Sequence, residues 1–541
     1  MFNRVGNAPR AQPARNARGG ARRTPRPSNV GRNKPALFRQ PYGESTAAMP
    51  ELRRLVPAYG CLLQPSDADK AWIGTMTLFK ATHYTTHDMS DFTITRIDAA
   101  DGDLDEKLDA LRRKLSPQGN IVSEAGRQRT IAVFGEPLSP QQVVERICQE
   151  VQDEGQAALL KYTEKLDGAK LSKESLRVSA EELADAHGTV TTDFLDAIRR
   201  IRANILEFQS AILHSNAEVR RPGVILQQRY LPIQRAGICV PGGAAAYPST
   251  VLMTAVPAQA AGVPEIAVVA PPTEYGANNP HVLAVCHELG IEEVYRIGGA
   301  QAVASLAYGV SGIPAVDKVV GPGNLFVALA KRHVFGQVDI DSIAGPSEVV
   351  VIADSTTQPR FAAADMLAQA EHAPGAAILV TWDSKVLTDT ALELQRQVAR
   401  LSRSEWTIQS LRDFGAMILV ADEDEACRIT NLIAPEHLHL ATESARDLLP
   451  KIRNAGATFL GQHSPVALGD YAAGPSHVLP TGGTATWASG LTSNDFLKSG
   501  SVIEFDDKAL KTVADDVRAM ADIEGLTAHR ASIDVRFNSP H

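Results

Sequence analysis

Cysteine is scarce in this sequence. The 541 residues include five cysteines, an odd number, and none of them forms a Cys-x-x-Cys pair. This pattern disfavours a disulfide framework and a cysteine-held zinc site, and it is typical of a reducing compartment. Any bound metal is therefore expected on His, Asp, Glu or Gln side chains. The five are Cys61, Cys148, Cys239, Cys286 and Cys427.

Long apolar runs are also missing. No stretch approaches the roughly 18 consecutive apolar residues that a transmembrane helix needs, and no secretory signal pattern opens the sequence. We therefore expect a cytoplasmic protein that does not contact a membrane. Hydrophobic residues make up 44% of the chain and charged residues 21%, which is ordinary for a globular protein with large cores.

The first 40 positions contain no acidic residue. Residues 1–40 hold ten Arg or Lys, and since the whole chain has a net charge of −8, residues 41–541 carry −18. Such an acidic body disfavours nucleic-acid binding except through the basic arm. We predict that residues 1–88 form a basic, disordered N-terminal extension.

Three interpretations of this arm stay open. It is Arg-rich, as an organellar targeting peptide would be, although it lacks an amphipathic apolar stripe. Its charge also suits binding to polyanions. The favoured interpretation is an extension upstream of the true start, because Met89 begins a stretch that reads like an N-terminus, MSDFTITRIDAADGDLDEKL.

Apolar spacing predicts helices in the first half of the chain. Ser139 can cap a helix whose apolar positions include Val143, Val144, Ile147 and Val151. A second series alternates steps of four and three residues and lines one face of a helix. Its members are Phe194, Ile198, Ile201, Ile205, Phe208 and Ile212.

From residue 235, short β-branched runs alternate with Ala-rich helical stretches. This alternation predicts parallel sheets covered on both faces, and so many strands favour two doubly wound sheets over one. After residue 490 the pattern turns helical and predicts a small C-terminal module. The runs are RAGICV (235–240), EIAVVA (265–270), VYRIG (294–298), DKVV (317–320), EVVVIA (348–353), AAILVT (376–381) and AMILVA (416–421).

The Gly-x-Gly-x-x-Gly fingerprint of dinucleotide-binding turns is absent. Three other glycine-rich turns follow strands: VPGGAAAYPST (240–250), IGGAQA (297–302) and VGPGNLF (320–326). Each of them alone is more simply explained as a tight turn between a strand and a helix. Three in consecutive units indicate a ligand crevice, because such turns expose backbone N–H groups to phosphates.

Two polar pairs have the residue types of a catalytic or metal site. Gln369 and His372 are three residues apart in ADMLAQAEHAPG and share a helical face, although either alone is more simply explained as structural. Glu436 and His437 are adjacent in APEHLHLAT, in a loop that enters a short extended run. They can supply a general base and a water-activating carboxylate, or they can be a surface Glu beside a packed His.

Two further pairs lie towards the C-terminus. Asp470 and His477 belong to the loop ALGDYAAGPSHVLPTGG, and loops often carry functional sites. Glu524 and His529 by themselves resemble helix-end residues. From the residues alone, the sequence predicts an α/β protein with two sheets and a candidate His/Asp/Gln metal site.

Several rare strings occur in one order and resemble the histidinol dehydrogenase family, over about residues 89 to 538. They are VPGG, GGAQA, GPGN, AGPSEV, QAEH, PEHL, GDYAAGPSHVLPT and LTAH. The resemblance implies an α/β fold with two Rossmann-like doubly wound domains, one inserted in the other, plus small helical N- and C-terminal segments. The implied parts are a helical segment 89–134, a split first Rossmann-like domain 135–238 and 348–491, an NAD-binding second domain 239–347, and a C-terminal module 492–541.

The resemblance also implies a reaction. L-histidinol is oxidised through L-histidinal to L-histidine, the last step of histidine biosynthesis, with two NAD and one Zn²⁺ per subunit. The zinc ligands implied by position are Gln369, His372, Asp470 and His529. This set of N and O donors suits zinc and leaves coordination positions for a substrate, although Mn or Co could also occupy it.

Glu436 and His437 match the catalytic pair of the family. His437 is expected to take the proton of the alcohol as a general base, and Glu436 to activate the water that attacks the aldehyde. The implied substrate contacts are Ser347, Gln369, His372, His437, Asp470, His477, Glu524 and His529. The implied NAD contacts are Cys239, Gln301 and Asn324.

Two positions depart from the family pattern. Cys239 stands where members often have an aromatic residue that contacts NAD, and Val466 stands where many members have an acidic residue. A thiohemiacetal mechanism on Cys239 is not favoured, because nothing nearby in the sequence would lower the pKa of its thiol.

In the resembled family the C-terminal module reaches into the neighbouring subunit. This implies a homodimer with shared active sites, in which Glu524 and His529 act in the partner's site. Two alternatives remain at this point: a zinc- and NAD-dependent dehydrogenase of a related amino or hydroxy compound, and a non-catalytic binding protein that uses the basic arm.

Overall fold

The structure is a computed structural model that describes residues 93–115, 124–243, 245–343 and 345–537. The predicted N-terminal extension 1–88 and the proposed start at Met89 lie outside the described residues. Within the described ranges, no helix is long and apolar enough to cross a membrane.

The described chain alternates helices and strands. The helices are α1 Leu104–Leu115, α2 Glu124–Phe134, α3 Pro140–Glu154, α4 Gln156–Asp167, α5 Ala180–Thr189, α6 Thr192–Ala211, α7 Pro248–Ala261, α8 Pro280–Glu288, α9 Gly299–Tyr308, α10 Leu325–Val334, α11 Pro359–Ala370, α12 Ser384–Val398, α13 Ser404–Phe414, α14 Glu423–Ile433, α15 Ala445–Leu448, α16 Ala467–Tyr471, α17 Asp507–Ile523 and α18 Thr527–Asp534. The strands are β1 Thr95–Asp98, β2 Ala217–Arg221, β3 Val224–Pro232, β4 Arg235–Cys239, β5 Glu265–Ala270, β6 Glu293–Arg296, β7 Lys318–Val320, β8 Asp339–Ile340, β9 Ser347–Ala353, β10 Gly375–Thr381, β11 Ala416–Leu419, β12 His437–Leu440, β13 Ala457–Leu460 and β14 Leu497–Phe505.

The larger sheet has six parallel strands in the order β1-β11-β10-β9-β12-β13. Strand β10 is buried along its whole length and β9 along all but its first residue, and both are mainly apolar, as a parallel sheet covered on both faces requires. Helices α11, α12 and α13 pack on one face, and α1, α14 and α15 on the other.

The second sheet has five parallel strands in the order β6-β5-β4-β7-β8. Helices α3, α4, α9 and α10 cover one face, and α5, α6, α7 and α8 the other. Taken in chain order within the sheet, this is the order 3-2-1-4-5 of a Rossmann fold. Strands β9 to β13 repeat this order as β11-β10-β9-β12-β13. The order in which strands are added therefore reverses between β4 and β7 in one sheet and between β9 and β12 in the other.

A third, antiparallel sheet joins β14 to β3 and β3 to β2. Strand β14 pairs with β3 over its full length, from Leu497 opposite Pro232 to Phe505 opposite Val224. The C-terminal module was predicted to be helical, but it contains the nine-residue strand β14 before its helices. Helices α17 and α18 follow this strand.

The predicted α/β fold class is confirmed, and all seven predicted runs contain strands, β4 to β7 and β9 to β11. Ser139 caps α3 with a reciprocal capping box, and its apolar positions are buried. Helix α6 spans the second predicted helix, with Ile198 and Ile205 buried.

The assignment of segments to the two sheets differs from the prediction in two places. Residues 89–134 were predicted to be a helical segment, but β1 lies within them and forms the edge of the six-stranded sheet beside β11. Residues 135–238 were assigned with 348–491, but α3 to α6 pack on the five-stranded sheet and β4 belongs to it. The apolar stripe of an amphipathic helix shows that the helix is packed, not on which sheet. The insertion itself remains, since the five-stranded sheet lies in sequence between β1 and β9.

Candidate active site

Glu436 and His437 lie where β12 begins. Helix α14 ends at Ile433, and Ala434 then takes a left-handed conformation (φ 51°) that turns the chain into the strand. The N–H of Ala457 on the neighbouring strand donates to the Glu436 carbonyl at 2.8 Å. Both side chains are buried, with exposed fractions of 5% and 2%. The alternative of a surface Glu beside a packed His is therefore excluded.

The Glu436 carboxylate is held from the start of β9. Its Oε2 accepts the N–H of Glu348 at 3.0 Å, and the Ser347 side chain lies against the same carboxylate. Burial raises the pKa of Glu436 well above its ordinary value of 4.5, because desolvation disfavours the charged form. Glu436 is thus a stronger proton acceptor than an exposed carboxylate.

His437 has a neutral, unengaged imidazole. Its Nδ1 lies 3.6 Å from Glu436 Oε2, and its Nε2 lies 3.8 Å from Asp470 Oδ1. Neither ring nitrogen has a hydrogen-bond partner among the described residues. Burial lowers the pKa of His437 to about 3, and the nearby rings of His372 and His477 act in the same direction. A neutral ring with no partner is able to accept a proton from a ligand.

Asp470 and His477 come from the loop after β13. Helix α16 carries Asp470, whose carboxyl pKa is raised to about 6 by burial. His477 Nδ1 lies 3.0 Å from the Asp470 carbonyl oxygen, and since a carbonyl only accepts, this nitrogen carries the proton. Burial lowers the pKa of His477 to about 4. The Nε2 of His477 is therefore left as an acceptor.

Helix α11 carries Gln369, but it ends at Ala370, and His372 lies in the turn that follows. The two residues were predicted to share a helical face; they are instead joined by the N–H of His372, which donates to the Gln369 carbonyl oxygen at 3.3 Å. Strand β10 starts so close to the last turn of α11 that a Cβ at Gly375 would lie 2.0 Å from the Gln369 carbonyl oxygen. Gln369 is buried, and its side-chain nitrogen has no hydrogen-bond partner among the described residues. His372 is exposed to solvent, although desolvation by neighbouring protein atoms lowers the pKa of its imidazole.

These side chains share one edge of the six-stranded sheet. Ser347 and His437 begin β9 and β12, and His372 immediately precedes β10. This is the amino edge of the parallel strands, opposite to the carboxyl edge at which open α/β sheets usually bind ligands. The structure thus brings together Ser347, His372, Glu436, His437, Asp470 and His477, and buried Gln369 lies one turn before His372.

The carboxyl edge of the five-stranded sheet carries the glycine-rich turns. A Cβ at Gly321, the residue after β7, would lie 2.3 Å from the Cys239 carbonyl oxygen at the end of β4. A Cβ at Gly242 would lie 2.7 Å from the backbone of Gly276. These close approaches between backbone segments at the switch point therefore require glycine.

This edge lies close to Asp470, because the Tyr471 and Tyr247 rings are near enough to interact electrostatically.

A family model described as histidinol dehydrogenase matches residues 137–537, which is most of the chain. The chain belongs to the histidinol dehydrogenase family. The resemblance inferred from the sequence motifs is thereby confirmed.

The alignments with individual members of this family extend over nearly the full length of those members. The histidinol dehydrogenase of Rhodopirellula baltica is 60% identical over 450 residues, which are 82% of this chain and 98% of that protein. That of Synechococcus sp. is 47% identical over 398 residues, 73% of this chain and 92% of that protein. The crystal structure of histidinol dehydrogenase from Elizabethkingia anophelis aligns with a TM-score of 0.74 at 33% identity and covers 83% of this chain and 98% of that chain. The chain is accordingly an oxidoreductase.

The three residues predicted from the resemblance to contact NAD have different environments. Asn324 caps α10, and its Oδ1 accepts the N–H groups of Phe326 and Val327 at 3.0 and 3.2 Å. Gln301 is buried and donates to Asp167 at 3.0 Å, while its side-chain oxygen has no partner among the described residues. Cys239 is buried at the switch point.

The thiol of Cys239 is a weak nucleophile in this environment. Burial raises its pKa to about 12, so the thiolate is scarce at neutral pH. This agrees with the expectation that histidinol dehydrogenase chemistry in this chain does not pass through a thiohemiacetal. Val466, the other departure from the family pattern, is buried and packs in the core beneath α11.

Glu524 and His529 are the predicted site residues that stay apart from the buried cluster. Glu524 ends α17, His529 lies on α18, and both are exposed. Within the described part of this single chain, no group of three or more His, Cys, Asp or Glu side chains is arranged to hold a metal. Within one chain, the predicted ligands Gln369, His372 and Asp470 are therefore not joined by the fourth predicted ligand, His529.

Sequence reasoning missed three buried polar residues around the site. Glu348 is fully buried, accepts the N–H of Gly482 at 2.9 Å, and has a pKa raised to about 7 by burial. Asp365 and His439 lie together beneath the cluster. Two of them had a signal in the sequence: Glu348 is an acid at the start of an apolar strand, and Asp365 is one helical turn before Gln369.

Proposed function

We propose that this chain oxidises L-histidinol through L-histidinal to L-histidine with two NAD and one zinc ion per subunit, as a cytoplasmic homodimer. The main support is the buried, neutral imidazole of His437, whose Nδ1 lies 3.6 Å from Glu436 Oε2 and whose Nε2 lies 3.8 Å from Asp470 Oδ1. Because this ring is unprotonated at neutral pH, it has a nitrogen available to accept the proton of an alcohol. Membership of the histidinol dehydrogenase family supports the substrate.

The residues present fit a zinc ion. Gln369, His372 and Asp470 offer O, N and O donors, which is the chemistry of a zinc site without cysteine. The side-chain nitrogen of buried Gln369 has no partner among the described residues; with the amide rotated by 180° its oxygen takes that place and can bind a cation. Burial raises the pKa of Asp470 to about 6, and a bound cation would hold it ionised. The fourth ligand in this proposal is the His529 position of the second subunit.

The residues also fit NAD. At the switch point between β4 and β7, backbone segments approach so closely that a Cβ at Gly321 or Gly242 would clash with them. Among the described residues, no side chain caps the N-termini of α7 and α9, so their N–H groups remain to bind phosphate oxygens. Cys239, Gln301 and Asn324 lie at or beside these turns and are proposed as cofactor contacts.

The chemistry divides between the two adjacent residues. When bound, NAD supplies the hydride acceptor and zinc orients the substrate. In the first oxidation His437 Nε2 accepts the proton of the alcohol as the aldehyde forms. In the second, the Glu436 carboxylate accepts a proton from the water that attacks the aldehyde carbon, while His437 returns its proton to the aldehyde oxygen. The neutral His437 then takes a proton of the resulting hydrate as the acid forms. Ser347, held against Glu436, and His477, with Nε2 as acceptor, are proposed to hold the substrate.

The C-terminal module supports the dimer. An apolar stripe on α17 and the turn after it is exposed, most of all Ile523 at 80%, and such stripes mark interfaces. Glu524 and His529 lie within and just beyond this stripe. A second copy that covers it would bring these two residues to a neighbouring site. The stripe consists of Val517, Met520, Ile523 and Leu526.

NADH formation from L-histidinol tests the proposed reaction. The purified protein is assayed as prepared, after chelation, and after zinc is restored. We expect about two NADH per histidinol, lost on chelation and recovered with zinc. A folded, zinc-loaded dimer that forms no NADH from L-histidinol would overturn the proposal.

Mixed dimers test the sharing of sites. Co-expression of His529→Ala and His437→Ala chains gives dimers in which one of the two sites in each heterodimer is complete. Two inactive variants should then recover about a quarter of the wild-type activity, as two-fold symmetry and random pairing require. Mixtures that stay inactive although heterodimers form would show that each chain builds its own site.

A further inference from the structure

A buried lysine–aspartate pair lies behind the turn that follows β7. Lys331 is on α10 and Asp341 begins the segment that leads from β8 to β9. Their side chains are each 3% exposed, and Lys331 Nζ contacts Asp341 Oδ1. Buried charges are costly unless they are paired and fully hydrogen-bonded, so the contacts of this pair indicate what it holds.

The pair holds both polar groups of one residue. The N–H of Gly321 donates to Asp341 Oδ2 at 2.7 Å, and Lys331 Nζ donates to the Gly321 carbonyl oxygen at 3.1 Å. The other Asp341 oxygen accepts the N–H of Ser342 at 2.6 Å. Gly321 is therefore fixed by two charge-assisted hydrogen bonds at the switch point of the five-stranded sheet.

Only glycine fits at position 321. Its φ of 105° is in the left-handed region, and the Cys239 carbonyl lies where a Cβ would be. The turn continues from Gly321 to Asn324, which caps α10, and Lys331 lies on that same helix. The turn, the helix and the segment before β9 thus meet in one charged pair.

We propose that Lys331 and Asp341 are positioning residues for NAD, which hold the turn 321–324 in the shape that binds the dinucleotide. This inference rests on the proposed use of NAD and adds residues outside the three expected contacts. Both charged groups are buried and contact Gly321 and each other, so their proposed role is to position the turn and not to bind NAD directly. Loss of the Lys331 charge leaves Asp341 buried and unpaired and releases the Gly321 carbonyl.

The test compares Lys331→Met with Lys318→Met in the zinc-loaded, full-length protein. Lys318 is also buried, on the same strand β7 as the turn's start, and pairs with Asp339 at 2.7 Å. It lies at the opposite end of that strand from Gly321. Both variants lose a buried cation near one strand, so Lys318→Met controls for destabilisation.

NAD is titrated without histidinol, by calorimetry, and KM is measured for both substrates. We expect Lys331→Met to bind NAD about tenfold more weakly, the equivalent of one lost hydrogen bond to a charged group, with KM for L-histidinol unchanged. Lys318→Met should lower the Tm and keep the NAD affinity. Equal NAD affinities in the two variants at equal loss of Tm would overturn the inference.

Two further outcomes are assigned. If Lys331→Met does not fold, Asp341→Asn replaces it, since an amide has no negative charge and only one oxygen, and so cannot hold the N–H groups of Gly321 and Ser342 together with Lys331; wild-type NAD affinity in that variant would overturn the inference. A wild-type protein that turns over no L-histidinol and binds no NAD would instead refute the proposed function.

Discussion

Asp365 Oδ2 lies 2.6 Å from His439 Nδ1, with the two side chains 7% and 1% exposed. The other ring nitrogen of His439 lies 2.9 Å from the Gly461 carbonyl oxygen, and Asp365 Oδ1 accepts the N–H of Val466 at 3.4 Å. This pair therefore joins α11, β12 and the segment before Asp470. These are the three segments that carry the candidate ligands and His437.

The first prediction concerns this pair. Asp365→Ala leaves His439 buried without its carboxylate, and we expect the free energy of unfolding to fall by about 3 kcal/mol or more, as when one partner of a buried pair is removed. Urea unfolding of the two proteins measures it. The control is Asp389→Ala, which breaks an exposed pair with Lys385 on α12 and should change stability by less than about 1 kcal/mol. Similar losses in both variants would contradict the prediction.

The second prediction concerns pH. Burial raises the pKa of Glu348 from 4.5 to about 7, so the folded protein keeps a proton that the unfolded chain releases. The stability contributed by the neutral carboxyl is complete below pH 4.5 and is lost as the pH rises through about 7. Glu348→Gln is neutral throughout and can still accept the Gly482 N–H. Relative to this variant, wild type should lose on the order of 3 kcal/mol across that interval.

Urea unfolding of both proteins at about pH 4.5 and at about pH 8 measures this difference. The comparison with Glu348→Gln isolates one group, because His437 and His477, with lowered pKa values, gain stability as the pH rises and are present in both proteins. Parallel stability curves for the two proteins would show that Glu348 is ionised in the fold.

The third prediction compares two glycines with nearly equal positive φ angles. Gly321 has φ 105° and Gly336 has φ 101°, but only at Gly321 would a Cβ meet an atom, the Cys239 carbonyl oxygen at 2.3 Å. Gly336→Ala should cost about 1–2 kcal/mol of stability from its conformation alone and should keep NAD binding. Gly321→Ala should cost more and bind NAD more weakly. Equal Tm and NAD affinity in the two variants would show that the approach to Cys239 is relaxed in solution.

The fourth prediction concerns the metal. His372→Ala should lose most of its bound zinc, because His372 supplies the one nitrogen donor of the three ligands within a chain. Its fold should stay intact, since His372 is exposed to solvent and lies outside the core clusters. Elemental analysis after gel filtration, with circular dichroism, measures both. His463→Ala is the control, as His463 is exposed and near Phe361; a full zinc content in His372→Ala would remove His372 from the proposed ligand set.

The strands that the sequence predicted are those with unbroken β-branched runs, such as EVVVIA in β9. Strands β1 (TRID) and β13 (ATFL) have four residues each and no such run. They form because β11 and β12 offer unpaired edges to them, which is a property of the finished sheet. The sheet on which α3 packs was equally unpredictable, because an apolar stripe fits either one.

The candidate site divides in the same way. The adjacency of Glu436 and His437 and the short spacing of Gln369 and His372 are local, and the sequence showed both. The approach of Asp470 to His437 depends on the path of the chain after β13, where Gly469 packs on the ring of Phe459. The resemblance to a family supplied that association, since no residue pattern near Asp470 contains it. The remoteness of Glu524 and His529 from the cluster within one chain follows from helices α17 and α18 and not from residue type.

The two sheets contribute opposite edges to the site: the six-stranded sheet its amino edge, and the five-stranded sheet its carboxyl edge. In the proposed reaction, a reduced cofactor must depart and an oxidised one arrive between the two oxidations. The donors that would retain the aldehyde, Gln369, His372 and Asp470, belong to one sheet, and the turns at Gly242 and Gly321 belong to the other. Exchange of the cofactor can therefore proceed while the reactive intermediate stays sequestered, so the enzyme need not release an aldehyde to the cell.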